Sequence, residues 1–109
     1  MVPSERKTRE SAIEAELVAR VEALGGRCEK VQVIGRRGFF DRLVALPGGR
    51  VVFVECKKPR GGRVAVHQRQ YADAYRALGL EVALVRKSED IDALLKPRKN
   101  RHAGGSAPV

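Results

Sequence analysis

The chain has 109 residues, a length that suits a single domain around one modest hydrophobic core. Lysine and arginine outnumber aspartate and glutamate by 22 to 13, and the net charge of +9 favours nucleic acid as the partner. No apolar run is long enough for a transmembrane helix, and the first ten residues lack the apolar segment of a signal peptide. We therefore expect a cytoplasmic protein with no membrane partner.

The first predicted element is a helix over residues 11–24, where apolar side chains recur at helical spacing. Ser11 and Glu14 match a capping box at its start, and two glycines follow its last turn. Alternating apolar residues then predict a strand over residues 28–34. The sequence GRRGF after this strand predicts a loop, because it contains two glycines and shows no periodicity.

The middle of the chain predicts a β-hairpin, with strands over residues 43–46 and 51–57 on either side of the turn sequence Pro-Gly-Gly. A second glycine-rich basic loop, PRGGR, leads to a helix over residues 66–78, a strand over 81–85 and a short helix over 88–95. The order helix, three strands, helix, strand, helix predicts an α/β fold with helices packed on a small mixed sheet.

Composition divides the chain into a central domain, residues 10–96, and two polar ends. The polar residues 1–9 predict a flexible N-terminus, and the basic, then Gly/Ser/Pro-rich residues 97–109 predict a disordered tail. The cysteines, Cys28 and Cys56, form neither a CxxC pair nor a metal-ligand cluster, so we expect both to be reduced core residues.

Three charged residues lie at the ends of the predicted hairpin. Asp41 precedes its first strand, while Glu55 and Lys57 close its second strand on the same face, because side chains alternate along a strand. Each has an ordinary structural explanation, since aspartate often opens strands and an exposed Glu-Lys pair contributes little stability. A carboxylate removed from water, however, needs a partner or a metal ion.

Both longer predicted helices carry polar residues on their apolar stripes, which are expected to face the sheet. Glu14 lies within the apolar stripe of the first helix, and Glu10 lies one turn earlier on that stripe. Gln68 shares the stripe of Tyr71 and Tyr75 in the later helix. The ordinary explanations are the capping box for Glu14, a polar lead-in for Glu10 and a surface position at a helix start for Gln68.

Acidic residues that converge in a basic domain would repel a polyanion unless a cation lay between them. Mg²⁺ is a hard ion that binds through one or two carboxylates together with phosphate and water. It promotes attack on a phosphate, and Lys57 beside Glu55 can neutralise the charge that develops there. The pattern therefore predicts phosphodiester hydrolysis.

The ordered set of Asp41 followed by Glu55-Cys56-Lys57 after a Pro-Gly-Gly hairpin resembles the D…ExK signature of the PD-(D/E)XK nucleases. The closer resemblance, over roughly residues 10–95, is to the VRR-NUC family in its stand-alone phage and bacterial form. It rests on four segments: ESAIEAELVARVEALGG, GRRGFFDRLVALPGGRVVFVECKKP, the glutamine before YADAYRALG, and SEDIDALL.

The resemblance to VRR-NUC proteins implies a restriction-endonuclease-like α-β-β-β-α-β core and dependence on Mg²⁺ or Mn²⁺. It also implies endonuclease action on branched DNA, such as Holliday junctions or flaps, in a bacterial or phage-infected cell. Small members of this kind are expected to be homodimers, because two active sites can then nick two strands symmetrically.

The resemblance also assigns roles to individual residues. It implies that Asp41, Glu55 and the backbone carbonyl of Cys56 are metal ligands, that Lys57 is the catalytic lysine, and that Gln68 is the glutamine of the following helix. A helix acid completes the ligand set. We favour Glu14 for it, because the first helix also resembles that of archaeal Holliday-junction resolvases, and Glu10 is the alternative. Phe40 stands where the family usually has a proline.

Basic residues in the two predicted loops flank this set and are expected to contact DNA phosphates. They are Arg36, Arg37, Lys58, Arg60 and Arg63. No predicted element resembles a reader of base edges, so we expect recognition of DNA shape rather than of sequence. The alternative to a nuclease is a DNA-binding module without catalysis, or an accessory subunit of a nuclease or helicase.

Overall fold

The fold is taken from a computed structural model, which describes residues 8–35, 39–57 and 66–97, with side chains from Ser11 onward. Three helices and four strands follow one another in the predicted order. They are α1 (Thr8–Ala23), β1 (Arg27–Lys30), β2 (Arg42–Leu46), β3 (Arg50–Cys56), α2 (Val66–Ala77), β4 (Glu81–Val85) and α3 (Ser88–Leu95). The predicted flexible N-terminus and basic tail lie almost entirely outside the described residues.

The four strands form one mixed sheet in the order β1-β2-β3-β4. β1 and β2 are antiparallel, as are β2 and β3, whereas β3 and β4 are parallel and are connected through α2. Gly48 and Gly49 form the β2–β3 turn with φ values of 93° and 90°, a region that favours glycine. The predicted α/β class and the small mixed sheet are confirmed.

One face of the sheet packs against α1 and α3 and forms an aliphatic core. Alternate residues of β3 point into it, because successive side chains of a strand lie on opposite faces. The buried residues of this core are Ile13, Leu17, Val21, Cys28, Val44, Val52, Val54, Cys56, Val85, Ile91 and Leu94. Both cysteines are buried and free, as predicted.

The other face of the sheet carries α2 and an aromatic cluster. Phe53, which alternates with the core residues of β3, contacts Tyr75 of α2 edge to face, with ring centroids 5.5 Å apart. No described residue of α2 is buried, so this helix lies on the sheet with a shallower contact than α1. Among the described residues, no helix has the length and apolar character that a membrane span requires.

The start of α1 differs from the prediction. The helix begins at Thr8, three residues before Ser11, so Ser11 lies inside it and the expected Ser11–Glu14 capping box is wrong. Nothing in the preceding polar residues breaks a helix, and the Ser-x-x-Glu spacing also occurs within helices. The predicted end of this helix at residue 24 is one residue too late, because α1 ends at Ala23, and Leu24 is 52% exposed.

Strand β1 and the later helices show smaller differences. β1 ends at Lys30 rather than at residue 34, because its partner strand begins at Arg42, the residue opposite Lys30. The predicted helix over residues 66–78 ends one residue earlier, at Ala77, and Leu78 is 75% exposed. At α3 the Asp90 carboxylate accepts hydrogen bonds from the backbone N–H groups of Arg86 and Lys87 and caps the start of the helix.

Candidate active site

The hairpin brings the predicted aspartate and the predicted Glu-Cys-Lys triplet to the same end of the sheet. Asp41 lies immediately before β2, and its backbone N–H donates to the carbonyl of Val54 at 3.0 Å. Its carboxylate oxygen Oδ2 accepts a hydrogen bond of 2.8 Å from the backbone N–H of Cys56. The backbone of β3 therefore fixes the position of Asp41 beside Glu55.

Glu55 is 7% exposed, and among the residues that the structure describes it is the charged residue that is buried. Its oxygen Oε2 accepts a hydrogen bond from the Gln68 side-chain amide and lies 3.5 Å from Nζ of Lys57. The other oxygen, Oε1, is buried and has no hydrogen-bond partner among the described residues. A buried acceptor of this kind is costly unless something else binds it.

Burial and charge repulsion both act on the two carboxyl groups. Burial raises the pKa of Glu55 to about 7, the charge of Asp41 adds to this rise, and Lys57 and Gln68 oppose it. Burial also raises the pKa of Asp41, while the hydrogen bond from the Cys56 backbone opposes the rise. A cation between these carboxylates would relieve both effects.

Cys56 contributes no charge of its own to the site. Burial raises the pKa of its thiol to about 12, so the side chain remains a neutral core group near neutral pH. At Cys56 it is then the backbone carbonyl that is suited to a hard cation, the role that the resemblance implied for it.

Glu14 points from α1 towards the same end of the sheet, but its carboxylate is held by basic residues. Oε2 of Glu14 accepts from Nε of Arg42 at 2.7 Å and lies 3.4 Å from Nζ of Lys30. Burial is the main cause of the raised pKa of Asp41, and the charge of Glu14 adds to the rise. Glu10 lies in the first turn of α1, and its side chain is outside the described part of the chain.

Arg42 is a residue of the site region that the sequence analysis did not identify. As the first residue of β2, it points to the face under α1, and its guanidinium also lies 3.4 Å from the carbonyl of Cys28. The alternation of β2 was a usable signal, because it puts Arg42 on the α1 face, towards Glu14.

The arrangement fits a divalent cation in chemistry. Asp41 and Glu55 supply hard carboxylate oxygens, and the buried, unbonded Oε1 of Glu55 is an acceptor that a cation would satisfy. Within residues 8–35, 39–57 and 66–97, however, no three His, Cys, Asp or Glu side chains are close enough to form a complete metal-ligand group. Glu14, the predicted third carboxylate, is paired with Arg42 at 2.7 Å.

The five basic residues expected to contact DNA lie outside the described residues. Arg36 and Arg37 belong to residues 36–38, and Lys58, Arg60 and Arg63 belong to residues 58–65. The first segment directly precedes Phe39, and the second directly follows Lys57.

Comparisons with known proteins agree with the geometry. "Putative nuclease p44" of Acyrthosiphon pisum secondary endosymbiont phage 1 is 43% identical over 90 residues, which cover 83% of this chain and 95% of that protein. A solved structure described as "VRR_NUC domain" has a TM-score of 0.76 and 34% identity, and covers 80% of this chain and 94% of its own. The chain belongs to the VRR-NUC family of nucleases. No family model matches the sequence.

Membership of the VRR-NUC family confirms the resemblance and the nuclease function that the sequence analysis predicted. In this VRR-NUC nuclease the hairpin and α2 bring Asp41, Glu55, Lys57 and Gln68 together. Phe40, which the resemblance placed where a proline was expected, is 3% exposed and packs among aromatic rings.

Proposed function

We propose that this VRR-NUC nuclease is a Mg²⁺- or Mn²⁺-dependent endonuclease that hydrolyses phosphodiester bonds in branched DNA. The observation that carries the metal dependence is Oε1 of Glu55, a buried carboxylate oxygen without a hydrogen-bond partner in the described chain, next to a second carboxylate. Proteins usually bind Mg²⁺ at a phosphate through one or two carboxylates, so Asp41 and Glu55 are sufficient in number.

The cation would be held by Asp41, by Glu55 and by the backbone carbonyl of Cys56. Glu14 is the favoured further ligand and Glu10 the alternative. Both hydrogen-bonding contacts of Glu14 with basic residues involve Oε2, so the proposal assigns its other oxygen to the cation or to a water in the cation's shell. When bound, the cation supplies Lewis-acid chemistry at the phosphate and makes water easier to deprotonate.

Gln68 and Lys57 have different roles in this proposal. The Gln68 amide donates to Oε2 of Glu55, which fixes the rotation of the carboxylate and keeps Oε1 for the cation. Lys57, whose Nζ lies 3.5 Å from Oε2 of Glu55, carries the positive charge that stabilises the phosphate as it is attacked.

The proposed substrate is structured DNA, recognised by shape. The net charge of +9 and the basic segments on either side of the site support binding to phosphates. The proposal includes a homodimer, because two sites related by a two-fold axis can cut two strands of a junction symmetrically. The expected location is the cytoplasm of a bacterial or phage-infected cell.

The deciding experiment is cleavage of labelled four-way junction, flap, single-stranded and linear duplex DNA with Mg²⁺, with Mn²⁺ and with EDTA. We expect cleavage of the branched substrates that requires metal. In the variant Lys57→Ala the rate should fall by about 10²-fold or more, because a charge that stabilises the transition state is removed. DNA binding by the variant should change little.

Three outcomes would contradict parts of this proposal. Cleavage in EDTA would exclude metal dependence, and equal rates on linear and branched DNA would exclude shape specificity. Tight DNA binding without cleavage under any metal would instead favour a binding module or an accessory subunit.

A further inference from the structure

Every aromatic residue of the chain belongs to one cluster. The chain has three phenylalanines, two tyrosines and no tryptophan, and all five rings pack together on the α2 face of the sheet. The cluster consists of Phe39, Phe40, Phe53, Tyr71 and Tyr75. Neighbouring ring centroids are 4.9 to 6.4 Å apart, and every pair meets edge to face or tilted; edge-to-face contacts are among the arrangements that aromatic rings prefer.

Phe40 is the buried member of this aromatic cluster. It is 3% exposed, and its ring centroid lies 5.2 Å from that of Phe53 and 5.5 Å from that of Tyr75. Its ring therefore contacts a ring of β3 and a ring of α2 at once. The core on the opposite face contains only aliphatic and cysteine side chains, so the rings are concentrated where the site lies.

Each of the three segments that supply Asp41, Glu55 and Gln68 also supplies a ring to the cluster. Phe40 directly precedes Asp41, and Phe53 lies two residues before Glu55 on the same face of β3. Tyr71 follows Gln68 by three residues, which puts the two on the same side of α2. The rings thus connect the three segments that carry Asp41, Glu55 and the Gln68 that bonds Glu55.

The attachment of α2 to the sheet depends on these rings. No described residue of α2 is buried, and its tyrosines are partly buried against Phe39, Phe40 and Phe53. Because Gln68 bonds Glu55 from this helix, a shift of α2 would move the amide away from the carboxylate.

We infer that the aromatic cluster is a positioning device for the metal site, with Phe40 at its centre. A proline before Asp41 would restrict the backbone through its own ring. Here burial of the Phe40 ring restricts that backbone instead. The same ring contacts Phe53 and Tyr75 and so fixes the position of α2 relative to β3. The cluster acts through Asp41, Glu55 and Gln68, whose positions it holds. This inference rests on the proposed function, because it concerns the same site.

The test compares Phe40→Leu with Ile91→Val. The first substitution keeps an apolar side chain but removes the ring contacts, and the second trims a fully buried residue in the aliphatic core on the other face. Mn²⁺ binding is measured on the free protein by electron paramagnetic resonance, and kcat and KM are measured on a four-way junction, all well below each variant's melting temperature.

We expect Phe40→Leu to weaken Mn²⁺ binding about tenfold and to lower kcat by up to about 10²-fold, the cost of misplacing a catalytic group by about 1 Å. KM for the junction should stay within about twofold, since the DNA contacts are elsewhere. Ile91→Val should lower the melting temperature without changing Mn²⁺ binding or kcat. Tyr75→Leu tests the same cluster from α2 and should behave as Phe40→Leu does.

The outcomes separate this inference from the proposed function. If the wild-type protein binds Mn²⁺ and cuts DNA while Phe40→Leu and Tyr75→Leu match Ile91→Val in metal binding and kcat, the cluster is ordinary core and the inference is overturned. A wild-type protein that neither binds Mn²⁺ nor cuts DNA would overturn the proposed function itself.

Discussion

Glu55 is subject to two effects that both disfavour its ionised form. It is buried, and it lies beside a second carboxyl group, that of Asp41, so its pKa rises from 4.5 to about 7. A protonated carboxyl group is a poor ligand for a hard cation, so protons and metal compete for Glu55 near neutral pH. The side chain that the proposed metal needs most is thus the one whose charge depends most on pH.

This competition predicts opposite pH effects on the metal-free and metal-bound protein. Because the pKa of Glu55 is higher in the folded state, its contribution to stability is full below about pH 4.5 and is lost as the pH rises through about 7. Bound metal reverses this loss, so the rise in melting temperature caused by Mn²⁺ should grow from about pH 6 to about pH 8. Cleavage should increase over the same range.

Thermal melts of wild type and Glu55→Gln, with EDTA and with Mn²⁺, would measure the effect. The neutral amide should remove this part of the pH dependence together with the Mn²⁺-induced increase in melting temperature. A Mn²⁺-induced increase that is the same at low and high pH in the wild type would contradict the assignment.

The sequence was informative about these residues because their positions follow simple periodicities. Alternation along a strand placed Glu55 and Lys57 side by side, and helical spacing placed Gln68 on the inner side of α2, where it bonds Glu55. The pairing of Glu14 with Arg42 could not be predicted in the same way, because it joins residues of two elements whose relative position no periodicity determines.

At the level of elements, internal patterns predicted which segments are helices or strands, and partner elements decided where they end. The strand over Glu81–Val85 was predicted with its observed bounds. β1 is shorter than its alternating residues suggested, because a strand ends where its partner ends. Likewise, Gly26 lies close to Ala45 of β2, and the sequence marked this glycine only as part of the signal that ends the first helix.

Two glycines allow a matched test of this close approach. A Cβ atom on Gly26 would lie 2.4 Å from the carbonyl oxygen of Ala45, whereas a Cβ on Gly48 would meet nothing within 4 Å. Gly48 instead has a φ of 93°, which costs an alanine about 1–2 kcal/mol. Gly26→Ala should therefore reduce the free energy of unfolding by about 3 kcal/mol, more than Gly48→Ala does.

Urea unfolding of both variants would provide the comparison. An equal or smaller loss for Gly26→Ala would mean that α1 and β2 can move apart at little cost, and that the seam between them is not tightly packed.

At the scale of the whole molecule, one sheet serves two different purposes. Its α1 and α3 face holds an aliphatic core that accounts for most of the fully buried side chains. Its α2 face holds the aromatic rings and the carboxylates of Asp41 and Glu55, which lie at the end of the hairpin opposite its turn. Element order predicted the mixed sheet, but not the gathering of every ring on one face, since this depends on the side to which α2 crosses over.

The excess of positive charge leads to a last prediction, on the salt dependence of DNA binding. Each lysine or arginine that neutralises a phosphate contributes about 0.9 to the slope of log K against log salt concentration. Arg60 follows Lys57 by three residues, in one of the basic segments that flank the site. We expect Arg60→Ala to weaken binding to junction, flap and duplex DNA by a similar factor and to reduce the slope by about 1.

Arg27→Ala is the matched control for this charge change. Arg27 is an exposed residue of β1 that lies opposite Ala45 of β2. It is therefore near the turn of the hairpin and away from Asp41 and Lys57. The substitution Arg27→Ala removes one positive charge from the same protein, so it measures the effect of net charge alone. It should leave the slope of log K against log salt concentration nearly unchanged. If both variants reduced the slope equally, the affinity would depend on overall charge, and DNA would not be held by the segment next to the site.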